Sequence, residues 1–295
     1  MSMEKIKGKE IAAKIKGEVK NQIQEEYINK GKQVPCLACI IVEGNSASEV
    51  YVANKEKACK ECLMDSKIVR LPNDVSQEEL ETVISELNNS ENISGILLQL
   101  PLPKHLNSDK ALECISPSKD VDCLTKQNLG ALFAGKPVVS PCTATGIIKI
   151  LDHQNIEIEG KRAVVIGRSL LVGKSVANLL EQRNATVTIC HSRTQNMQEI
   201  TQQADILVVA IGKTEYITAD YVKPGAVVID VGINRTENGL KGDVDFEQVS
   251  QVCSQITPVP GGVGPLTVAC LMENTLILDR LNSKNKGCEN DELCR

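Results

Sequence analysis

Aromatic residues are scarce in this chain: there is no Trp, and two Phe and four Tyr bring the aromatic share to 2%. A tyrosine flanked by small and polar residues, such as Tyr51 after Ala47, Ser48 and Glu49, is therefore hard to dismiss as routine core. Histidine is nearly as rare, with His105, His153 and His191 the three present. None stands where it would complete a metal site with the cysteines. No apolar run approaches the roughly 18 uncharged residues that span a bilayer. A basic excess is also missing: Lys and Arg number 33 against 38 Asp and Glu, for a formal net charge of -5, which points away from nucleic acid. Residues 1–20 alternate Lys with Glu, whereas a transit peptide is poor in acids and a signal peptide needs an apolar core. The expectation is a cytoplasmic protein with neither a membrane nor a nucleic-acid partner. The sequence also has no internal repeat and no low-complexity tract.

With 295 residues and 42% hydrophobic content, the chain is long enough for two domains with proper cores. Its twelve cysteines include Cys36, Cys39, Cys59 and Cys62, two C-x2-C pairs separated by 19 residues, a spacing inside the range of zinc sites. Local structure argues against zinc. Residues 36–42 form an apolar run that predicts a buried strand, so Cys36 and Cys39 should point to opposite faces. Cys59 and Cys62 have the ordinary i, i+3 spacing of a helix. No metal is expected, and such cysteines behave as small buried hydrophobes. Without a secretory signal there is no reason to expect disulfides.

Helix and strand patterns alternate along the first half. Ile11, Ala12, Ile15, Val19 and Ile23 carry a helical period across 9–30. Strands are predicted over 36–42, 66–71 and 93–99, with helices over 47–62 and 77–87, an alternation that implies a mostly parallel sheet. Pro101 and Pro103 end the last of these strands and leave Gln99 at its C-terminal edge, where α/β proteins place ligands. After Pro141 a second series begins, with strands over 161–167, 186–190, 205–212 and 226–232 and a helix over 173–182. The expected fold class is α/β, with two βα domains flanking a cleft, the second of them Rossmann-like.

Several segments carry chemistry. The turn Gly167-Arg-Ser-Leu-Leu-Val-Gly173 follows a strand and opens a helix, so its N–H groups can face a pyrophosphate. NAD folds place an acidic residue about 20 positions further on to grip the adenosine ribose. Here the next strand ends in Cys190-His191-Ser192-Arg193-Thr194. No carboxylate repels a 2′-phosphate, and Arg168, Ser192 and Arg193 can bind one, which favours NADP over the bland alternative of solvated loop residues. In residues 257–275, TPVPGGVGPLTVACLMENT, Pro258 and Pro260 fix φ while Gly261, Gly262 and Gly264 leave the backbone bare for a ligand. Thr267 falls near the start of the helix that follows, where free N–H groups favour an anion or a polar atom. Tyr51 and Lys55 share a helix face by their spacing, ordinarily a solvated surface. Lys119-Asp120-Val121-Asp122 by itself is an acidic turn.

Together SEVYVANKEKAC around Tyr51 and Lys55, GILLQLPLP around Gln99, VVIGRSLLVGKSVANLL from Val164 and the proline-glycine segment resemble the bifunctional methylenetetrahydrofolate dehydrogenase/methenyltetrahydrofolate cyclohydrolase family, the folate enzymes often called FolD. The resemblance extends from Gly8 to Thr275. It implies oxidation of 5,10-methylenetetrahydrofolate to 5,10-methenyltetrahydrofolate with NADP, then hydrolysis to 10-formyltetrahydrofolate. It also implies a folate-binding catalytic domain over 1–141, an NADP domain over 142–266, a helix of about 267–281 packing back on the first domain, and a homodimer. The polar tail 283–295 is expected to fray. Tyr51 would stack on the aminobenzoate portion of the folate and Lys55 would be the acid/base catalyst. Gln99 can hydrogen-bond this lysine without the carboxylate charge that would hold it protonated. Asp122 would accept from the pterin N–H donors, with Asp120 a structural partner. Further substrate contacts are implied for Val52, Ala53, Asn54, Leu98, Leu100, Pro260, Gly261, Gly262, Val263 and Gly264. For the cofactor the resemblance implies Thr143, Gly167, Arg168, Ser169, Ser192, Arg193, Ile233 and Thr267, with Ile233 at the nicotinamide end.

Four positions depart from the family pattern. Cys123 and Leu63 stand where glycine is usual, and Ala144 and Ser175 where proline is. Cys123, beside Asp122, would narrow the pterin pocket or alter a glycine backbone, whereas Ser175 in a first helical turn should matter little. Three other readings stay open on sequence: a dehydrogenase without cyclohydrolase, a non-catalytic nucleotide-binding protein of the same fold, and a zinc-binding interaction module.

Overall fold

The computed structural model describes residues 3–44, 46–237 and 239–292, and the side chains of 46–48 and 285–292 lie outside that description. The chain opens with β1 (Glu4–Lys5) and α1 (Gly8–Glu26), then runs β2 (Cys36–Val42), α2 (Ser46–Glu61), β3 (Asp65–Leu71), α3 (Gln77–Asn89), β4 (Gly95–Leu98), α4 (Ser108–Glu113) and α5 (Lys126–Phe133). It continues through α6 (Cys142–His153), β5 (Arg162–Ile166), α7 (Ser175–Gln182), β6 (Thr186–Cys190), α8 (Met197–Thr201), β7 (Ile206–Val209), β8 (Val227–Asp230), β9 (Asn234–Thr236), β10 (Gly239–Lys241), α9 (Phe246–Val249), β11 (Gln255–Ile256) and α10 (Val263–Glu292). Two compact units result: Lys14–Ser140 with Leu271–Arg295, and Met1–Ala13 with Pro141–Cys270. Among the described residues no helix is long and apolar enough to cross a membrane.

The unit containing Lys14–Ser140 is built on a parallel sheet of order β3-β2-β4. All seven residues of β2 are buried, as a central parallel strand covered on both faces requires. Cys36, Ala38, Ile40 and Val42 join one core cluster with Leu80 and Ile84 of α3 and Ile96 and Leu98 of β4. Cys39 is buried but stands outside that cluster, so the two cysteines do face opposite ways. The start of α3 is fixed by a capping box between Ser76 and Glu79. At its other end Lys119 Nζ donates to the carbonyls of Leu87, Asn88 and Ser90 at 3.1, 2.8 and 2.7 Å, neutralising the orphan acceptors there.

The other unit has a six-stranded parallel sheet of order β1-β11-β8-β7-β5-β6. Its central strand β7 is buried throughout. Residues 3–13, expected with the first domain, group with this unit by their contacts. The reason is backbone pairing: Glu4 and Lys5 lie in parallel register with Gln255 and Ile256, and Ile6, fully buried, donates its N–H to Ile256 O at 2.9 Å. Helix α10 also exceeds its expected span of about 267–281. Its polar residues 283–292 stay helical where a frayed tail was expected, since extending an anchored helix adds a hydrogen bond per residue without a new nucleus. Residues 293–295 of that tail lie outside the described residues.

Candidate functional site

Helix α2 carries Tyr51, 39% exposed, and Lys55, half-buried, one turn apart on the same side. The side chains of Ala47 and Ser48, read as Tyr51's neighbours, lie outside the described residues. Lys55 Nζ donates to Gln99 Oε1 at 2.8 Å. Gln99 follows β4 directly and is 9% exposed; its backbone N–H donates to Ile40 O at 2.9 Å and its Nε2 to Leu100 O at 2.7 Å. The amide oxygen is thereby turned to the lysine. Burial pushes the Cys39 thiol up to about 11, with Lys55 drawing it down and Asp122 raising it. Lys55 and Gln99 are thus in direct contact, and the Cys39 thiol in the middle of β2 feels the charges of both Lys55 and Asp122.

Asp120 plays a different part. Its Oδ1 accepts from Leu124 N–H at 3.1 Å and its Oδ2 from Thr125 N–H at 2.9 Å and Asn128 Nδ2 at 3.0 Å, so it holds the turn and the start of α5. Val52 and Leu98 are buried in the core, whereas Ala53 and Asn54 are exposed and Leu100 is half-buried. Asn274, which sequence reasoning missed, donates Nδ2 to Val121 O at 2.8 Å and Ser140 O at 3.0 Å, fixing the backbone just before Asp122. The signal for it was a lone amide in the apolar face of residues 266–278.

Cys123 and Leu63 keep the backbone that glycine favours, with φ of 56° and 61°. The Cys123 side chain is fully buried and its thiol is pushed up to about 12 by burial, then by Asp120 and Asp122. Its substitution therefore places strain behind Asp122 rather than an exposed group in the pocket. Ala144 is buried in the first turn of α6, and Ser175 Oγ donates to Leu170 O at 2.5 Å, bracing the turn before α7.

In the second unit, Gly167 ends β5 with φ of 124°. A Cβ there would overlap Ala210 O, and one on Gly173 would overlap Gly167 O. The two glycines let three backbone segments close on one another. Between them residues 170–174 form a π-helical turn, with Ser169 Oγ accepting from Val172 and Gly173 N–H at 3.3 and 3.5 Å. Regular helix begins only at Ser175, two residues after the expected start. Gly167 N–H donates to Cys190 O at 2.9 Å, tying the C-terminal end of β5 to that of β6. Arg168, Ser192 and Arg193 are exposed at those ends, and residues 190–194 contain no carboxylate. Thr143 Oγ1 and Thr267 Oγ1 are 3.1 Å apart. Ile233 Cδ1 lies 3.5 Å from the position a Cβ on Gly264 would take, and Gly261 holds φ of 106°. Gly262 and Val263 are buried; Pro260 is exposed.

Among the described residues no group of three His, Cys, Asp or Glu is arranged to hold a metal ion. Burial pushes the thiols of Cys36, Cys39 and Cys62 up to about 11 and that of Cys59 to about 12, as for small buried apolar side chains.

A parallel sheet that turns through Gly167 into a helix with bare backbone at the turn defines a dinucleotide-binding α/β protein, here joined to a second unit with a lysine–amide pair at its sheet edge. The family description "Tetrahydrofolate dehydrogenase/cyclohydrolase, catalytic domain" matches residues 6–122, and its NAD(P)-binding domain matches residues 141–283. The bifunctional protein FolD of Thermodesulfovibrio yellowstonii is 51% identical over 285 residues, covering 96% of this chain and 99% of that relative. The crystal structure of bifunctional FolD from Campylobacter jejuni superposes with a TM-score of 0.92 at 45% identity, covering 95% of this chain and 100% of that one. The crystal structure of the Trypanosoma brucei dehydrogenase-cyclohydrolase complexed with NADP cofactor and inhibitor gives a TM-score of 0.92 at 37% identity, covering 96% of this chain and 99% of that one. The chain belongs to the tetrahydrofolate dehydrogenase/cyclohydrolase family.

Proposed function

We propose that this protein oxidises 5,10-methylenetetrahydrofolate to 5,10-methenyltetrahydrofolate with NADP, and hydrolyses that cation to 10-formyltetrahydrofolate. The observation that carries the reading is the Lys55–Gln99 hydrogen bond at 2.8 Å, near a Cys39 thiol that feels the charges of both Lys55 and Asp122, in a chain of this family. Asp122 accepts from the pterin N–H donors, and Tyr51 stacks on the aminobenzoate. Lys55, oriented by Gln99, takes the proton from water as the C–O bond forms at the methenyl carbon. Returned to N5, that proton lets the C–N5 bond break with its electron pair going to N5, while the new hydroxyl releases its proton to solvent and becomes the carbonyl of the formyl group on N10. Pro260, Gly261, Gly262, Val263 and Gly264 are further substrate contacts in this reading, supported by the side-chain-free backbone of the three glycines.

The second unit fits NADP: Gly167 and Gly173 have no room for a side chain, and Arg168, Ser192 and Arg193 are exposed beside a strand end without carboxylates. NADP supplies the hydride acceptor. Ser169, Thr143 and Thr267 offer hydroxyls, and Ile233 an apolar surface. A homodimer through this unit is part of the proposal, supported by β6, which pairs with β5 alone among the described residues and leaves Ile189 39% exposed.

The test is to incubate the protein with methylenetetrahydrofolate and either NADP or NAD while following methenyl and formyl products. Formyl product with NADP is expected. Absence of NADPH would overturn the proposal, and methenyl product decaying only at its uncatalysed rate would reduce it to a dehydrogenase.

A further inference from the structure

Between β10 and α9 lies Asp243, whose side chain is 0% exposed. Its charge is met by N–H groups. Oδ2 accepts from the backbone N–H of Ile211 at 2.7 Å and Gly212 at 2.9 Å, and Oδ1 from Lys213 N–H and Asn234 Nδ2, both at 2.9 Å. Three consecutive N–H groups converging on one carboxylate form an anion nest closed by the protein's own side chain. Residues 211–213 lie just beyond the C-terminal end of β7, and Asn234 lies just beyond that of β8. This is the edge at which parallel α/β sheets receive ligands.

Asp230, at the end of β8, extends the network. Its Oδ1 accepts from Gly232 N–H and Asp243 N–H and its Oδ2 from Val244 N–H, each at 3.0 Å. The packing leaves no slack: a Cβ on Gly232 would overlap Asp243 Cγ, and one on Gly242 would overlap Asp230 Oδ2. Ile233, flanked by Gly232 and Asn234, is thus held on both sides by buried carboxylates while its own side chain stays 42% exposed.

We propose that Asp243 is a positioning residue for the nicotinamide half of NADP, fixing Ile233 against residues 211–213. This rests on the reading of the unit as an NADP site with Ile233 at the nicotinamide end. Asp243 acts through those loops and does not touch the ligand.

The test is calorimetric titration of the full chain with NADP and, separately, with 2′,5′-ADP, which keeps the adenosine and 2′-phosphate but lacks nicotinamide. Asp243→Asn puts an NH2 against backbone donors, so NADP affinity should fall about 10- to 100-fold while 2′,5′-ADP affinity stays within about twofold. Asn234→Ala removes one tie and leaves the nest, so a smaller loss of the same kind is expected; this variant carries the test if Asp243→Asn fails to fold. Equal weakening of both ligands, or of neither, would overturn the inference. Wild-type protein that binds neither ligand would remove the NADP reading and this inference with it.

Discussion

Lys55 Nζ donates to the amide oxygen of Gln99 at 2.8 Å, a partner that orients the amine without adding a charge beside it. Lys55→Met keeps the length and the apolar stem but removes the amine. Hydrolysis of methenyltetrahydrofolate should then fall by about 10²- to 10⁴-fold, the usual worth of a positioned acid/base. Hydride transfer gives a resonance-stabilised cation with no proton to abstract, so the dehydrogenase should suffer less. A variant that hydrolyses the methenyl cation at the wild-type rate above background would remove Lys55 from the mechanism. Arg168 supports an equally local prediction. It is exposed next to a β6 end without carboxylates, so Arg168→Ala should weaken NADP by about 1.5–3 kcal/mol, about 10- to 150-fold, and leave NAD nearly unchanged. Equal loss of both cofactors in binding titrations would mean that Arg168 supports the turn instead.

At the scale of the element, the end of α2 shows how a sequence departure is absorbed. Met64 N–H donates to Cys59 O at 2.9 Å and Leu63 N–H to Lys60 O at 3.2 Å, with Leu63 at φ of 61°. This is a Schellman-type stop in which the left-handed residue, usually glycine, carries a half-buried leucine. The left-handed backbone costs an L-residue roughly 1–2 kcal/mol, partly offset by the greater freedom of glycine in the unfolded chain. Leu63→Gly should therefore stabilise the protein by roughly 0.5–1.5 kcal/mol in denaturant unfolding, and a loss of stability would show that the leucine's packing outweighs the strain. Sequence patterns located β2 because seven apolar residues in a row fit only a strand covered on both faces. They put Tyr51 and Lys55 on one helix face and Gln99 at the end of a strand because helical spacing and a proline stop are local signals. They missed β1 and β11, each two residues long with little apolar pattern, and with them the pairing that ties residues 4–6 to the six-stranded sheet. The π-helical turn at 170–174 was equally hidden, because its cause is the contact of Gly173 with Gly167 and Ser175 bonding to Leu170, not composition.

For the whole molecule, the aspartates at 230 and 243 were the least legible feature, since twelve intervening positions of turn and hairpin bring them together only in the folded sheet. Their burial has a consequence for stability. Burial pushes the Asp230 carboxyl from 3.8 up to about 7, with Asp243 adding to the rise and three backbone N–H donors opposing it. Below about pH 4 this group is protonated whether the chain is folded or not; between about 4 and 7 only the folded chain keeps the proton. The folded state therefore binds more protons in that window, and this group's contribution to stability falls as pH rises through it. Above about 7 the carboxylate is ionised in both states and the full burial penalty is expressed. Asp230→Asn cannot titrate and carries a fixed cost from turning an NH2 toward Val244 N–H. The stability of the wild type relative to this variant should thus decline between pH 4 and 8, by on the order of 3 kcal/mol. Unfolding free energies measured for both proteins across that range decide the matter, because parallel curves would mean that Asp230 is already ionised throughout and that the N–H donors outweigh burial.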